Sequence, residues 1–339
     1  MIRKAAMSLP IYHHPSLTVL IDDSDSFLRS LSFQLDPALA SKAFCDTRSA
    51  IEWLSQQDGR DEAHDSKLHA SYDTYPESHE QCNVAFDIER IHRISFERKR
   101  FMTPSVLVVD YSMPQMNGVQ LCEALRHLPC KKILFTGVAD EKAAVDAFNR
   151  GLIDRYIKKS DDDALDRLET EIVALQREYF AARSDPLRDM LTLHNYSFVS
   201  DTTFAELVRT LVKEHAIVEH YVYSNPAGIL MYDRDGKAQL MVVETETSMN
   251  SHYEVACDND APLSLLTALR ERCIIPWFRD GDGMYSEAFA SGWHKYSAPA
   301  QLCRGAQNYY WALFKLEPGE LAEPASSFSD YLRNREPVL

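Results

Sequence analysis

Val106–Gly118, VLVVDYSMPQMNG, decides how the chain is read. A short apolar run ends on a carboxylate, Asp110, and a turn bearing Pro114 and Gly118 opens a stretch of helical periodicity. The same unit recurs in both directions. Apolar runs at Leu17–Ile21, Ser41–Cys45, Ser105–Asp110, Lys132–Phe135 and Arg155–Lys158 alternate with helix-patterned stretches near Asp25–Leu35, Ser49–Gln56, Gly118–His127, Glu141–Gly151 and Asp162–Arg183. That alternation predicts an α/β, doubly wound parallel sheet with helices on both faces. Such a sheet takes its ligand outside the carboxyl ends of its strands.

Those strand ends carry particular side chains. Asp22 and Asp23 follow the first strand, Asp110 ends the third, Thr136 ends the fourth and Lys159 follows the fifth. A parallel sheet projects all of them from one edge. Three carboxylates in one cleft repel each other, and burial without a partner raises a carboxyl pKa. A divalent cation resolves that conflict. Mg²⁺ suits one or two carboxylates, a few waters and a phosphate oxygen. The central carboxylate can then attack a phosphoryl donor and become an aspartyl phosphate. The metal, the lysine ammonium and the threonine hydroxyl share the charge on the equatorial oxygens. The edge reads as a phosphoryl-accepting site.

Residues 17–160 resemble a response-regulator receiver domain of two-component signalling. The stretches that carry the resemblance are VLIDDSDSFLRSL, VLVVDYSMPQMNG and KKILFTGVADEKAAVDAFNRGLIDRYIKKS. It implies a five-stranded sheet in the order 2-1-3-4-5. It also implies Asp110 as phosphoacceptor, Asp23 and the Ser112 backbone carbonyl as Mg²⁺ ligands, and Asp22 supporting the metal through water. By the same resemblance Thr136 is the switch hydroxyl, Lys159 the phosphate partner and Tyr156 the rotating aromatic. The implied partner is a sensor histidine kinase or a phosphotransfer protein. Ser160 departs from the pattern, standing where receivers usually carry proline, and Lys158 beside Lys159 leaves a second register to be weighed; the spacing to Tyr156 favours Lys159.

The chain has 339 residues, enough for two domains, with 45% apolar and 26% charged side chains, which excludes a disordered or collagen-like chain. A formal charge of −15 repels nucleic-acid backbones and anionic lipid. The seven cysteines, never in a C-x-x-C pair, offer neither a zinc site nor a disulfide framework. No apolar run is long enough for a signal peptide or a membrane span, so a cytoplasmic protein is expected. Residues 1–16 read as an extension. Residues 58–103 read as a polar insertion in the receiver domain with four histidines, His64, His69, His79 and His92, whose spacing suits no metal, and with a short helix at Asp87–His92.

Residues 161–184 read as a linker helix. Leu165, Leu168, Ile172, Leu175 and Tyr179 fall at heptad spacing, which offers either a seam between two chains or a helix packed on its own sheet. A homodimer through this helix or through the fourth-helix face is expected.

After Ser184-Asp185-Pro186 the pattern changes. Helix-like Asp201–His215 and Pro262–Cys273 flank strand-like Ile217–Tyr223, Gly228–Tyr232, Gln239–Glu244 and Tyr309–Phe314. Asp233–Gly236, DRDG, is a hairpin turn. Residues 185–317 therefore read as an α+β antiparallel output domain, and 318–339 as a frayed polar tail. No catalytic motif stands out there. Residues 185–339 hold 22 acids against 13 bases, which argues against duplex binding. The expected output is a module that acts through an unnamed downstream partner. The alternative is a nucleotide- or nucleic-acid-binding or enzymatic domain using Arg270, Arg272, Arg279 and the aromatics around them. The whole chain loosely resembles response regulators linked to α-hydroxyketone quorum sensing.

Overall fold

The computed structural model describes residues 8–57, 87–137, 141–192, 196–321, 323 and 325–334. They form two compact units, each assembled from segments far apart in the sequence. One unit contains 14–57, 98–182 and 328–334; the other contains 8–13, 87–97 and 183–327.

In chain order the elements begin with β1 (Tyr12–His13), β2 (Leu17–Ile21), α1 (Asp25–Gln34), β3 (Ser41–Phe44), α2 (47–57) and α3 (Glu89–Arg93). They continue with β4 (Pro104–Val109), α4 (Gly118–Ala124), β5 (Lys131–Thr136), α5 (Glu141–Asn149), β6 (Arg155–Lys158), α6 (Ala164–Thr192) and α7 (Thr202–Glu214). Then follow β7 (Ile217–Tyr223), β8 (Gly228–Asp233), β9 (Ala238–Thr245), α8 (Glu246–Asp258) and α9 (Leu263–Arg270). The last are β10 (Ile274–Pro276), β11 (Ser297–Pro299), β12 (Gln301–Arg304), β13 (Asn308–Lys315) and α10 (Phe328–Asn334).

The first unit is a five-stranded sheet in the order β3-β2-β4-β5-β6, with every pair parallel. This is the expected order. β2 and β4 bury all their residues, as strands covered on both faces must. α1 starts where the Ser24 hydroxyl accepts the Phe27 amide, and it lays Leu28 and Leu31 on the sheet. α4 starts on a reciprocal Asn117–Gln120 capping box.

α6 corrects two expectations. Leu168, Ile172 and Leu175 are fully buried in one cluster with Leu20, Leu28, Val106, Val108, Ile133 and Ile157. The heptad seam is therefore the inner face of a helix packed on its own sheet, and it is not available to zip two chains together. A seam and a one-sided helix have the same period, so only packing separates them. α6 also runs through Pro186 to Thr192, past the expected break. An interior proline forfeits a helical hydrogen bond, but Leu187 and Leu191 beyond it are buried and hold the last turns in place.

The second unit is a six-stranded antiparallel sheet, β1-β7-β8-β9-β13-β12, with a two-stranded β10–β11 sheet beside it in the sequence. The DRDG turn joins β8 to β9. Asp233 Oδ1 accepts the amides of Asp235 and Lys237, both at 2.9 Å, and Gly236 takes a left-handed φ of 80°. α7 buries Phe204, Ala205, Val208 and Leu211 at i, i+1, i+4 and i+7.

The segments read as extension, insertion and tail each hold structure. Tyr12 and His13 pair with Tyr221 and His220 at the sheet edge. Within the insertion, α3 starts two residues after its expected start, Ile91 is fully buried, and Ser95 bonds the Tyr232 hydroxyl at 3.2 Å. His92 packs on Tyr223, with ring centroids 4.5 Å apart. His64, His69 and His79 lie outside the described residues. In the tail, Phe328 and Tyr331 of α10 pack on the fully buried Phe101, so this stretch is not frayed.

Candidate functional site

Four chain turns converge at the carboxyl edge of the parallel sheet. The Asp22 amide bonds the Phe44 carbonyl, and the Asp110 amide bonds the Ile21 carbonyl, so both side chains leave the sheet together. Lys159 follows β6, its amide held 2.9 Å from the Thr136 carbonyl. The Lys159 ammonium donates to Asp22 Oδ2 at 2.5 Å and to Asp110 Oδ1 at 2.6 Å. Asp22 and Asp110 are only 5% and 7% exposed, so this bridge sits where water screens it poorly. Two carboxylates against one ammonium leave a net negative site that remains attractive to a cation.

Backbone amides fix the other oxygens. Ser24 N–H donates to Asp22 Oδ1 at 2.9 Å, and Ser112 N–H donates to Asp110 Oδ2 at 2.6 Å. The contact shown for Ser112 is thus through its amide, where the sequence reading used its carbonyl. Thr136 is buried at the end of β5, Tyr156 is half-buried opposite Leu134, and Asp23 is exposed. Lys158 lies within β6 opposite Thr136, so only the next residue clears the strand end. Gly118 closes the loop after the acceptor. A Cβ there would stand 2.2 Å from the Asp110 carbonyl oxygen, which no side chain permits.

The sequence reading missed the aromatic walls of the cleft. The Lys159 ammonium stands 4.1 Å from the Phe27 ring centroid and 5.9 Å from that of Phe135. A small recess is lined by Asp22, Phe27, Asp110 and Phe135. Phe27 shows in the sequence only as an apolar position of α1, which reads as core.

The donor set suits a hard divalent ion. Asp22 and Asp110 converge on Lys159, all their donor atoms are oxygens, and Asp23 follows Asp22 in the chain with its side chain exposed. Among the described residues no three His, Cys, Asp or Glu side chains form a ready-made metal cage. Mg²⁺ needs none, since it keeps several waters and takes only one or two carboxylates.

Among its described residues the second unit offers no comparable gathering. Arg272 is bound to Glu246 and Asn250, and Arg279 to Glu320. Phe278 packs on Tyr285, Phe289 and Tyr296, and Trp277 on Phe314, so these aromatics serve one another. Asp282 Oδ1 accepts the Met284 amide and Gly283 takes a left-handed φ of 93°, the marks of a plain turn.

A parallel five-stranded sheet with this carboxylate–lysine edge defines a receiver domain, and the family model described as "Response regulator receiver domain" matches residues 79–169. The chain belongs to the response regulators. Over 97% of its length it is similar to the response regulator LqsR of Legionella pneumophila, at 32% identity, with 97% of that chain covered and a TM-score of 0.77. Other solved structures match about half of the chain. The receiver domain of the Francisella response regulator 1452 is 14% identical over 48% of this chain and 98% of its own, with a TM-score of 0.31. A signal receiver domain of an HD-domain-containing protein from Pseudomonas fluorescens Pf-5 is 18% identical over 50% and 93%, with a TM-score of 0.34. No curated protein matches the sequence. Among the described residues no helix is long and apolar enough to cross a membrane.

Proposed function

We propose that this response regulator accepts a phosphoryl group on Asp110 from a histidine kinase or phosphotransfer protein, in the cytoplasm, and acts in a quorum-sensing circuit. The observation that carries the reading is the Lys159 ammonium held at 2.5 and 2.6 Å by two nearly buried carboxylates. An Asp110 oxygen attacks phosphorus, the bond from phosphorus to the donor breaks, and the donor leaves with that electron pair. Lys159, already on Asp110, follows the charge onto the phosphoryl oxygens. The carboxylates of Asp22, Asp23 and Asp110 with the Ser112 carbonyl would hold Mg²⁺, which supplies charge neutralisation at those oxygens.

The product adds about −1.5 to −2 charges beside Thr136, which with Tyr156 is the switch pair. α5 then presents an altered face, with Val145 59% and Phe148 55% exposed, for dimerisation or partner binding. The second unit carries the output through a downstream partner. Intact mass after incubation with acetyl phosphate and Mg²⁺ tests the site. One phosphoryl adduct is expected on the wild type and none on Asp110→Asn; an adduct on the variant overturns the assignment.

A further inference from the structure

Phe27 sits on α1 and carries no group that bonds to the phosphoryl oxygens. Its ring face lies 4.1 Å from the Lys159 ammonium, a cation–π distance. Phe135 stands on the same cation at 5.9 Å, and the two rings are 6.2 Å apart at a tilt of 40°. An ammonium has three N–H donors. Two are engaged by Asp22 and Asp110. The lysine side chain is 20% exposed, so the rings limit the water that could draw it out of the cleft.

We propose that Phe27 is a positioning residue for phosphoryl transfer: its ring holds the Lys159 ammonium against the acceptor while that ammonium exchanges carboxylate oxygens for phosphoryl oxygens. The physical reason lies in what the ring lacks. It attracts the cation through its quadrupole but has no lone pair that competes with the phosphoryl group for an N–H. A carboxylate or hydroxyl in its place would hold the ammonium and also have to release it. The ring keeps its hold on the cation throughout the transfer. With acetyl phosphate as donor, Asp110 Oδ bonds to phosphorus, the bond from phosphorus to the acetyl oxygen breaks, and acetate leaves with the electron pair. No proton needs to move.

The inference rests on Asp110 being the acceptor, and the experiment separates the two. Full-length wild type, Phe27→Leu and Phe27→Tyr are phosphorylated with acetyl phosphate and Mg²⁺, and the rate is followed to donor saturation. Phe27→Leu keeps an apolar side chain and loses the π face; Phe27→Tyr keeps the face. Phe27→Leu is expected to lower the maximal rate about fivefold with the half-saturating donor concentration unchanged, and Phe27→Tyr to restore it. A second readout needs no phosphorylation. In protein with ¹³C-labelled lysine, the Lys159 Cε methylene, assigned through Lys159→Arg, should be ring-shifted upfield in wild type and Phe27→Tyr, and unshifted in Phe27→Leu. Equal rates for Phe27→Leu and wild type overturn the inference and leave the acceptor standing. Equal slowing in both variants overturns it as well, since packing alone then explains the loss. A wild type that takes no phosphoryl group removes the acceptor reading and this inference together.

Discussion

The two units of this chain treat charge in opposite ways. In the parallel-sheet unit one edge holds two nearly buried carboxylates against a single ammonium, an imbalance that a cation would settle. In the antiparallel unit Arg272 and Arg279 have found acids, and the aromatics stack on each other. The difference teaches where to look for chemistry. Charge left unbalanced in a place water screens poorly marks a working edge, and charge paired off marks architecture. Asp110→Asn is the sharpest cut between the two, removing the adduct while leaving both sheets intact.

The largest stability effect expected lies in the parallel unit. Ile172 is fully buried among Leu20, Val106, Ile133 and Ile157. Ile172→Ala leaves a cavity in that core and should cost about 2–5 kcal/mol. Urea unfolding at several protein concentrations measures the loss. If the residue belongs to a core within one chain, the loss is independent of concentration. A loss that grows on dilution would return the heptad residues to a seam between chains.

A smaller effect, set by pH, belongs to the antiparallel unit. His220 is buried in β7, donates from Nε2 to the Pro10 carbonyl at 3.2 Å and stacks on His13. Burial pushes its pKa down to about 4, and the Pro10 bond only partly opposes this. The folded chain therefore resists protonation that the unfolded chain accepts near the ordinary histidine value. His220 contributes full stability above that value and loses it as pH falls toward 4, by up to about 3 kcal/mol. Unfolding at pH 7 and at pH 4.5 should show this loss in the wild type and a smaller one in His220→Gln, which retains a donor for Pro10. Identical pH slopes in the two proteins would place the acid sensitivity elsewhere.

Much of the architecture was legible because short buried runs end on polar residues. Leu17–Ile21, Arg155–Lys158 and Ile217–Tyr223 are strands from end to end as read. What escaped has definite causes. β1 is two residues long and shows no period. α8 buries only Met249, His252 and Ala256 on a polar helix, so its apolar face is faint. Pro186 reads as a stop, yet packing beyond it carries α6 onward. Phe328 reads as part of a polar tail because its partner, Phe101, lies in the distant insertion. At the site, Asp22, Asp110 and Lys159 show themselves as polar residues at strand ends and meet in the structure. Phe27 stayed hidden because a ring meeting a cation across the sheet leaves no trace in local periodicity.

Asp201 gives the finest test of paired-off charge in the antiparallel unit, because each of its oxygens has a distinct structural task. Oδ1 caps α7 by accepting the Thr203 and Phe204 amides at 2.8 and 3.1 Å. Oδ2 accepts the Ala306 amide at 2.6 Å, in a turn where a Cβ on Gly305 would come within 2.1 Å of that same oxygen. Asp201→Ala should cost about 1–2 kcal/mol, through the lost cap and an orphaned amide. Asp201→Asn should recover only part of this. Its single oxygen can serve the cap or Ala306, and its NH₂ then points a donor at the other donor. Asp201→Ser restores the cap alone. Chemical unfolding should rank wild type above both conservative variants and these above Asp201→Ala, with Ala306 amide exchange faster in Asp201→Ser than in wild type. Full stability in Asp201→Asn would show that one of the two oxygens is idle, and that this carboxylate is held for something other than the fold.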